Sequence, residues 1–279
     1  MSVPHDLLRA LAIFAAGLAA GTINTVVGSG TLITFPTLLA FGYPPVLANV
    51  SNNVGLVPGV ASGVYGYRSE LGGQRRRLIR LGSASVCGGL VGAILLLTLP
   101  QSAFKAIVPA LIGLAVVMVI IQPRLAKWVA ERQRARAALA APDGGAAAIG
   151  ASAEPAAANA EDAIGGPVLW VLVFAAGIYG GYFGAAQGVL LIGMLGIALN
   201  DSLQRINGAK NVLAGLVNGV AAVVFILATH IDWGVAGLIA AGSIIGGQVG
   251  ARIGKRLPPW GLRVLIVCVG TAALVKLLT

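Results

Sequence analysis

The chain has 279 residues, 57% of them hydrophobic and only 10% charged, with a formal net charge of +10 and a mean hydropathy of +0.90. A soluble domain carries about 25% charged residues, so this composition excludes one. Apolar runs of about 18 or more residues point instead to a polytopic helical membrane protein. No short alternating strands are present, which excludes a transmembrane barrel, and the 40 glycines suit close helix packing in lipid.

Residues 7–27 form the first apolar segment, long enough to cross a bilayer at about 1.5 Å per residue. Arg9 followed by an apolar run resembles the start of a signal peptide, but the apolar character continues past Gly28, so the helix is expected to be retained. Residues 31–41 are too short for an upright span and predict a broken or re-entrant helix. Tyr43, Pro44 and Pro45 make a turn, and residues 46–65 form a third segment with Pro58 inside it, where a kink is expected.

A polar loop over residues 67–80 sets Arg68, Arg75, Arg76, Arg77 and Arg80 against the single acid Glu70. It is the strongest cytoplasmic marker of the first half, since cytoplasmic loops carry the excess of Lys and Arg. Spans follow at 81–99 and 103–121. Residues 122–136 carry Arg124, Lys127, Arg132, Arg134 and Arg136 and predict a short amphipathic helix on the membrane surface. Residues 138–166, rich in Ala, Gly and Pro without apolar periodicity, read as a flexible linker.

The same order of segments then returns: 168–186, a short 189–199, 206–228, 234–250 and 262–278, with Arg252, Lys255 and Arg256 between the last two. The halves align without a gap from Gly30 on Gly188 to Asn53 on Asn211, which places Asn49 on Asn207 and Asn52 on Lys210. The expected organisation is a first transmembrane repeat (1–121), a basic amphipathic segment with a flexible cytoplasmic linker (122–166), and a second transmembrane repeat (167–279). With the basic loops inside, counting spans puts both termini outside and inverts the second half relative to the first. The fold class is therefore an all-α membrane protein, a polytopic helical bundle of two inverted repeats, each opening with a broken or re-entrant helical hairpin. Because the basic residues fall in loops beside spans, they leave no face for nucleic acid. Cys87 and Cys268 lie singly, which favours packing over a metal site or disulfide.

Broken apolar helices in corresponding places of two halves mark the binding site of a transporter. Gly28, Ser29, Gly30 and Thr31 open the first short segment, and Gln187 and Gly188 the second. Helix N-termini offer free N–H groups and a positive dipole end to an anion, although the glycines can equally serve helix packing. Asn49 and Asn53 share a helix face at i, i+4, Asn207 and Asn211 repeat the spacing, and Asn52 and Lys210 flank the pairs. Such amides must face protein or a polar cavity, as a central site or as interhelical hydrogen bonds. Lys210 either draws the anion or snorkels to the membrane surface. Asn24 and Thr25 lie at the first break, where Asn24 can act as its cap.

The run GTINTVVGSGTLITFPTLLAFGYPPVLANVSNN, the Arg-rich loop after the third segment and the degenerate second copy resemble the TauE/SafE family of sulfite exporters. The likeness spans nearly the whole chain except the linker, with a thinner glycine run than is usual at Gly28 to Gly30 and at Gln187 and Gly188. It implies a transporter in the cytoplasmic (inner) membrane that exports small sulfur oxyanions or organosulfonates.

No Asp, Glu or His lies well inside a predicted span: Glu70, Asp201 and Asp232 fall at segment ends and His230 in an outer loop. A proton-coupled carrier usually has such a group, so the expected driving force is the anion's own gradient with the membrane potential. The expected function is a secondary transporter working by alternating access at a midplane site. A passive anion channel is the alternative, and a non-transport membrane protein is a weaker one. Paired intramembrane Asp, HExxH and GxSxG are all missing, so no enzyme activity is expected, nor any cofactor or metal. The expected partners are a small anionic substrate and the lipid bilayer, with room for a homo-oligomer.

Overall fold

Apolar runs without internal hydrogen-bond partners must form helices in lipid, and those of this chain do so close to the expected boundaries. The computed structural model describes residues 5–140, 166–199 and 201–253, with four separate positions at 264, 267, 268 and 271. The helices are α1 (His5–Val26), α2 (Thr31–Ala40), α3 (Pro45–Gly66), α4 (Arg75–Thr98), α5 (Gln101–Ala140), α6 (Pro167–Tyr182), α7 (Gln187–Ala198), α8 (Leu203–Ala228) and α9 (Trp233–Ile253), with a 3₁₀ turn at Arg68–Leu71. No strand occurs among the described residues. Among the described residues, five stretches are long and apolar enough to cross a membrane: Asp6–Val26, Arg75–Thr98, Ser102–Arg124, Leu203–Ala228 and Trp233–Arg252. The chain is thus an all-helical, multi-pass membrane protein. α3 has 22 residues, the length of a span, but its Asn49, Ser51 and Asn52 dilute its apolar character and are buried inside the protein.

Several boundaries differ from the expected ones. The Arg-rich stretch is not all loop: Arg75, Arg76, Arg77 and Arg80 enter the first turns of α4. Arginine is a good helix former, and the dipole penalty for cations at a helix start is offset at Arg77 by Asp201, 2.7 Å away. The basic segment after residue 121 is not a separate surface helix but the continuation of α5 through Pro123 to Ala140. Its Ala, Leu, Arg and Glu residues are strong helix formers, and the 40 residues extend about 60 Å, twice the hydrocarbon thickness. α6 stops at Tyr182 because Gly184, at φ 74°, turns the chain. Arg252 belongs to the last turn of α9. Cys87 and Cys268 are free and exposed rather than packed. The predicted span at 262–278, Lys255, Arg256 and most of the linker lie outside the described residues.

α1 lies along α9 and α4 lies along α6. Small residues permit both contacts. A Cβ added at Gly17 would meet the Ile239 backbone at 2.9 Å, and one at Gly88 would meet Gly177 Cα at 3.0 Å. The first helix of the chain therefore packs on α9, and α6, the first described helix after the linker, packs on α4. The main apolar core gathers Ile23, Phe35, Leu56, Ile112, Phe225 and Ile239. A second forms around Leu81, Val173, Leu191 and Leu213. Phe35 of α2 meets Phe183 edge-on at 5.2 Å, which joins the first short helix to the end of α6.

Candidate functional site

The chain breaks twice in the protein interior, after α1 and after α6. At the first break Gly28 adopts φ 88°, a left-handed conformation that favours glycine. The two breaks meet: Gly188 N–H donates to Gly28 O at 3.2 Å, and a Cβ on either glycine would collide with the Cα of the other. Ser29, Thr31 and Gln187 are all buried around this junction.

A helix that ends in the interior leaves its last carbonyls without intrahelical donors. α8 supplies them to α1. Lys210 Nζ donates to Asn24 O at 3.0 Å and to Thr25 O at 3.2 Å, and Thr25 O also accepts from Asn207 Nδ2 at 3.2 Å and Asn211 Nδ2 at 3.3 Å. The ammonium sits at the negative end of the α1 dipole, where a cation is favoured. Lys210 is 0% exposed, so it does not snorkel to the membrane surface. Asn24 contributes its carbonyl to this cap rather than a side-chain cap of its own.

α3 returns the favour to α6. Asn49 Nδ2 donates to Tyr182 O, in the last turn of α6, at 3.0 Å. Asn52 fixes the first turn of α2: its Nδ2 donates to Thr31 Oγ1 at 3.4 Å, and its Oδ1 accepts from Thr34 Oγ1. Asn53 is not drawn into this network, and its Oδ1 is buried without a partner. The bonding pair on α3 is thus Asn49 with Asn52, not Asn49 with Asn53. The expected residues Gly28, Ser29, Gly30, Thr31, Asn49, Asn52, Gln187, Gly188, Asn207, Lys210 and Asn211 gather at the two breaks and their caps.

Three buried side-chain groups at the junction lack protein partners: Ser29 Oγ beside the start of α2, Gln187 Nε2 at the start of α7, and the acceptor Asn207 Oδ1 at the cap of α1. Lys210 uses two of its three ammonium donors on the carbonyls of α1. Helix N-termini, unfilled donors and a buried ammonium are suited to a small anion. Asp232 caps α9 through Val235 N at 3.0 Å, and Glu70 lies in the 3₁₀ turn. Asp201 binds Arg77 at 2.7 Å and Arg205 at 2.6 Å. Burial pushes the Asp201 carboxyl up, but hydrogen bonds and charge from the two arginines prevail and hold it below its ordinary value. His230 is exposed in the α8–α9 turn. Among the described residues no group of three or more His, Cys, Asp or Glu could hold a metal ion.

Some participants escape a reading of the sequence. Tyr67, buried at the end of α3, packs at Gly208 of α8, and Thr34 bonds Asn52. The acceptors on α1 and α6 are carbonyls, which have no sequence signature. Asp201 and Arg205 do carry an i, i+4 spacing that marks them as a pair, whereas Arg77 comes from 124 residues away.

The model of the sulfite exporter TauE/SafE family matches residues 13–277. The chain is 24% identical over 261 residues to a "Probable membrane transporter protein" of Haemophilus influenzae, covering 91% of this chain and 87% of that relative. It is also 24% identical over 269 residues to the "Probable membrane transporter protein ORF9" of Sinorhizobium sp, covering 95% and 91%. For the "Probable membrane transporter protein YfcA" of Escherichia coli K12 the identity is 24% over 271 residues, covering 95% and 88%. No solved structure matches the chain. A family match across nearly all of a multi-pass helical chain, with relatives matched almost end to end, means that this chain belongs to the TauE/SafE family of membrane transporters.

Proposed function

We propose that the chain is a secondary transporter that exports a small anion, sulfite or an organosulfonate, across the inner membrane by alternating access between two inverted halves. The observation that carries the reading is the reciprocal capping at the junction: Asn207 and Lys210 of the second half end α1, and Asn49 of the first half ends α6. Asn49 and Asn207 are the residues that the repeat alignment superposes, and each performs the same task on the other half. The cross-packing of α1 on α9 and α6 on α4 supports the same symmetry. Broken helices at an interface between repeats are where such carriers bind substrate.

The anion site in this reading is formed by Gly28, Ser29, Gly30, Thr31, Gln187 and Gly188 at the helix starts, with Lys210 supplying charge and the asparagines shaping the walls. Export runs down the anion's own gradient, aided by an inside-negative potential, with the Arg-rich face cytoplasmic and the termini outside. The test is flux of sulfite and of small organosulfonates in proteoliposomes. Saturable flux that falls in Lys210→Met, Asn49→Ala and Asn207→Ala is expected. Unchanged flux in all three removes the site, single-channel conductance without saturation replaces the carrier by a channel, and a requirement for a pH gradient at zero potential removes the driving force.

A further inference from the structure

The Arg-rich face carries a second arrangement suited to oxyanions. Asp201, in the turn between α7 and α8, has each carboxylate oxygen on a different arginine: Oδ2 on Arg77 Nη1 at 2.7 Å and Oδ1 on Arg205 Nε at 2.6 Å. Two guanidinium groups converging on one carboxylate form a donor cradle that fits a small oxyanion equally well. The cradle is rigid because Gln74, itself buried, bonds it from three sides. Gln74 Nε2 donates to Glu70 O at 2.7 Å and to Arg205 O at 3.3 Å, and its Oε1 accepts from Arg77 Nη1 at 3.0 Å.

These bonds clamp the 3₁₀ turn and the start of α4 onto the start of α8. Under the clamp, Gly208 packs so closely that an added Cβ would meet Leu71 Cδ2 at 3.2 Å and Glu70 Cβ at 3.4 Å. Tyr67 Cβ lies against the same position, at 3.8 Å. Lys210 lies five residues beyond Arg205 on the same helix, about 7.5 Å along its axis. Arg68 lies in the 3₁₀ turn and Arg75, Arg76 and Arg80 in the first turns of α4, and like-signed charge raises the local concentration of an approaching anion.

We propose that Arg77 and Arg205 form an entry station for a small oxyanion, and that Asp201 occupies the station as a tethered competitor that keeps this face closed. A free oxyanion that displaces the carboxylate keeps both arginines paired while releasing the α7–α8 turn from α4. The substrate thereby loosens the clamp above the helix that carries Lys210. The inference rests on the anion-transport reading and assigns that reading a first binding step.

The experiment uses the full chain, purified, with sulfite as the probe and Lys210→Met as the background, so that the central site does not contribute. A tethered carboxylate competes at an effective concentration of about a millimolar or more. Asp201→Asn is therefore expected to bind sulfite about tenfold tighter or more, and Asp201→Glu to stay close to the parent. Hydrogen exchange across residues 67–78 and 201–208 is expected to quicken on adding sulfite to the parent and to be already fast in Asp201→Asn. Affinity no tighter in Asp201→Asn, or exchange indifferent to sulfite, overturns the station. If Asp201→Asn does not fold, Arg205→Gln gives the opposite sign, a loss of about tenfold in affinity, and unchanged affinity there is equally fatal. Tightening by Asp201→Asn without any flux in the wild type keeps the station and removes the transport reading. Flux without tightening does the reverse.

Discussion

Gly188 donates its backbone N–H to the carbonyl of Gly28 at 3.2 Å, so the two helix breaks are one junction rather than two separate irregularities. Gly28→Ala combines a left-handed φ of 88°, costing about 1–2 kcal/mol, with a clash against the Gly188 backbone worth about 1–3 kcal/mol more. Gly42 is the natural control, since its φ is 83° but nothing lies within 4 Å of an added Cβ. Thermal unfolding in detergent should show a loss about twice as large for Gly28→Ala as for Gly42→Ala. Equal losses would mean that the junction is loosely packed.

The asparagines should separate by what they leave behind. Asn49→Ala strands the Tyr182 carbonyl, for which Asn49 is the side-chain donor, at a cost of about 1 kcal/mol. Asn207→Ala leaves Thr25 O with Lys210 and Asn211, so its cost should be smaller. Asn53→Ala removes a buried oxygen that has no partner and should be the mildest of the three. Denaturant titration of the single variants reads this order directly, and a reversed order would contradict the capping assignment.

Lys210 distinguishes stability from function. Replacing it by Met keeps the volume and removes a charge whose desolvation offsets much of its hydrogen bonding, so stability should change by about 1 kcal/mol or less. Lys210→Ala adds a cavity and should cost about 2 kcal/mol or more. Anion flux should fall about tenfold or more in both, because an interior cation paired only with carbonyls has no substitute for holding an anion. Flux that follows stability, lost in Lys210→Ala but kept in Lys210→Met, would reassign the lysine to a structural cap.

The amino-acid sequence made the helices legible because lipid leaves an apolar run few alternatives, and Gly28, Gly30 and Pro44 interrupt the runs where backbone must turn. It also exposed the superposition of Asn49 on Asn207, which needed only a gap-free alignment. The partners of those amides were not legible, since Thr25 and Tyr182 act through carbonyls that every residue owns. Spacing did not single out Asn52 for a related reason: i, i+4 places Asn49 and Asn53 on one face, but it is Asn52 that bonds α2, through Thr31 and Thr34. The start of α4 was hidden because a row of arginines looks like solvated loop until Asp201, far along the chain, is brought beside Arg77.

That last pair also sets a dependence on pH. Arginine side chains keep their charge throughout the accessible pH range, so the carboxylate is the titrating partner. Its folded-state pKa lies below the unfolded value, which is about 3.9 for aspartate. The stabilisation from the cluster is therefore fully present above that value and is lost as pH falls through the lower, folded-state one. The melting temperature of the wild type should exceed that of Asp201→Asn by a constant margin from about pH 7 to pH 5, and the two should converge below about pH 4. Convergence already at about pH 6 would show that a histidine, not Asp201, governs the margin.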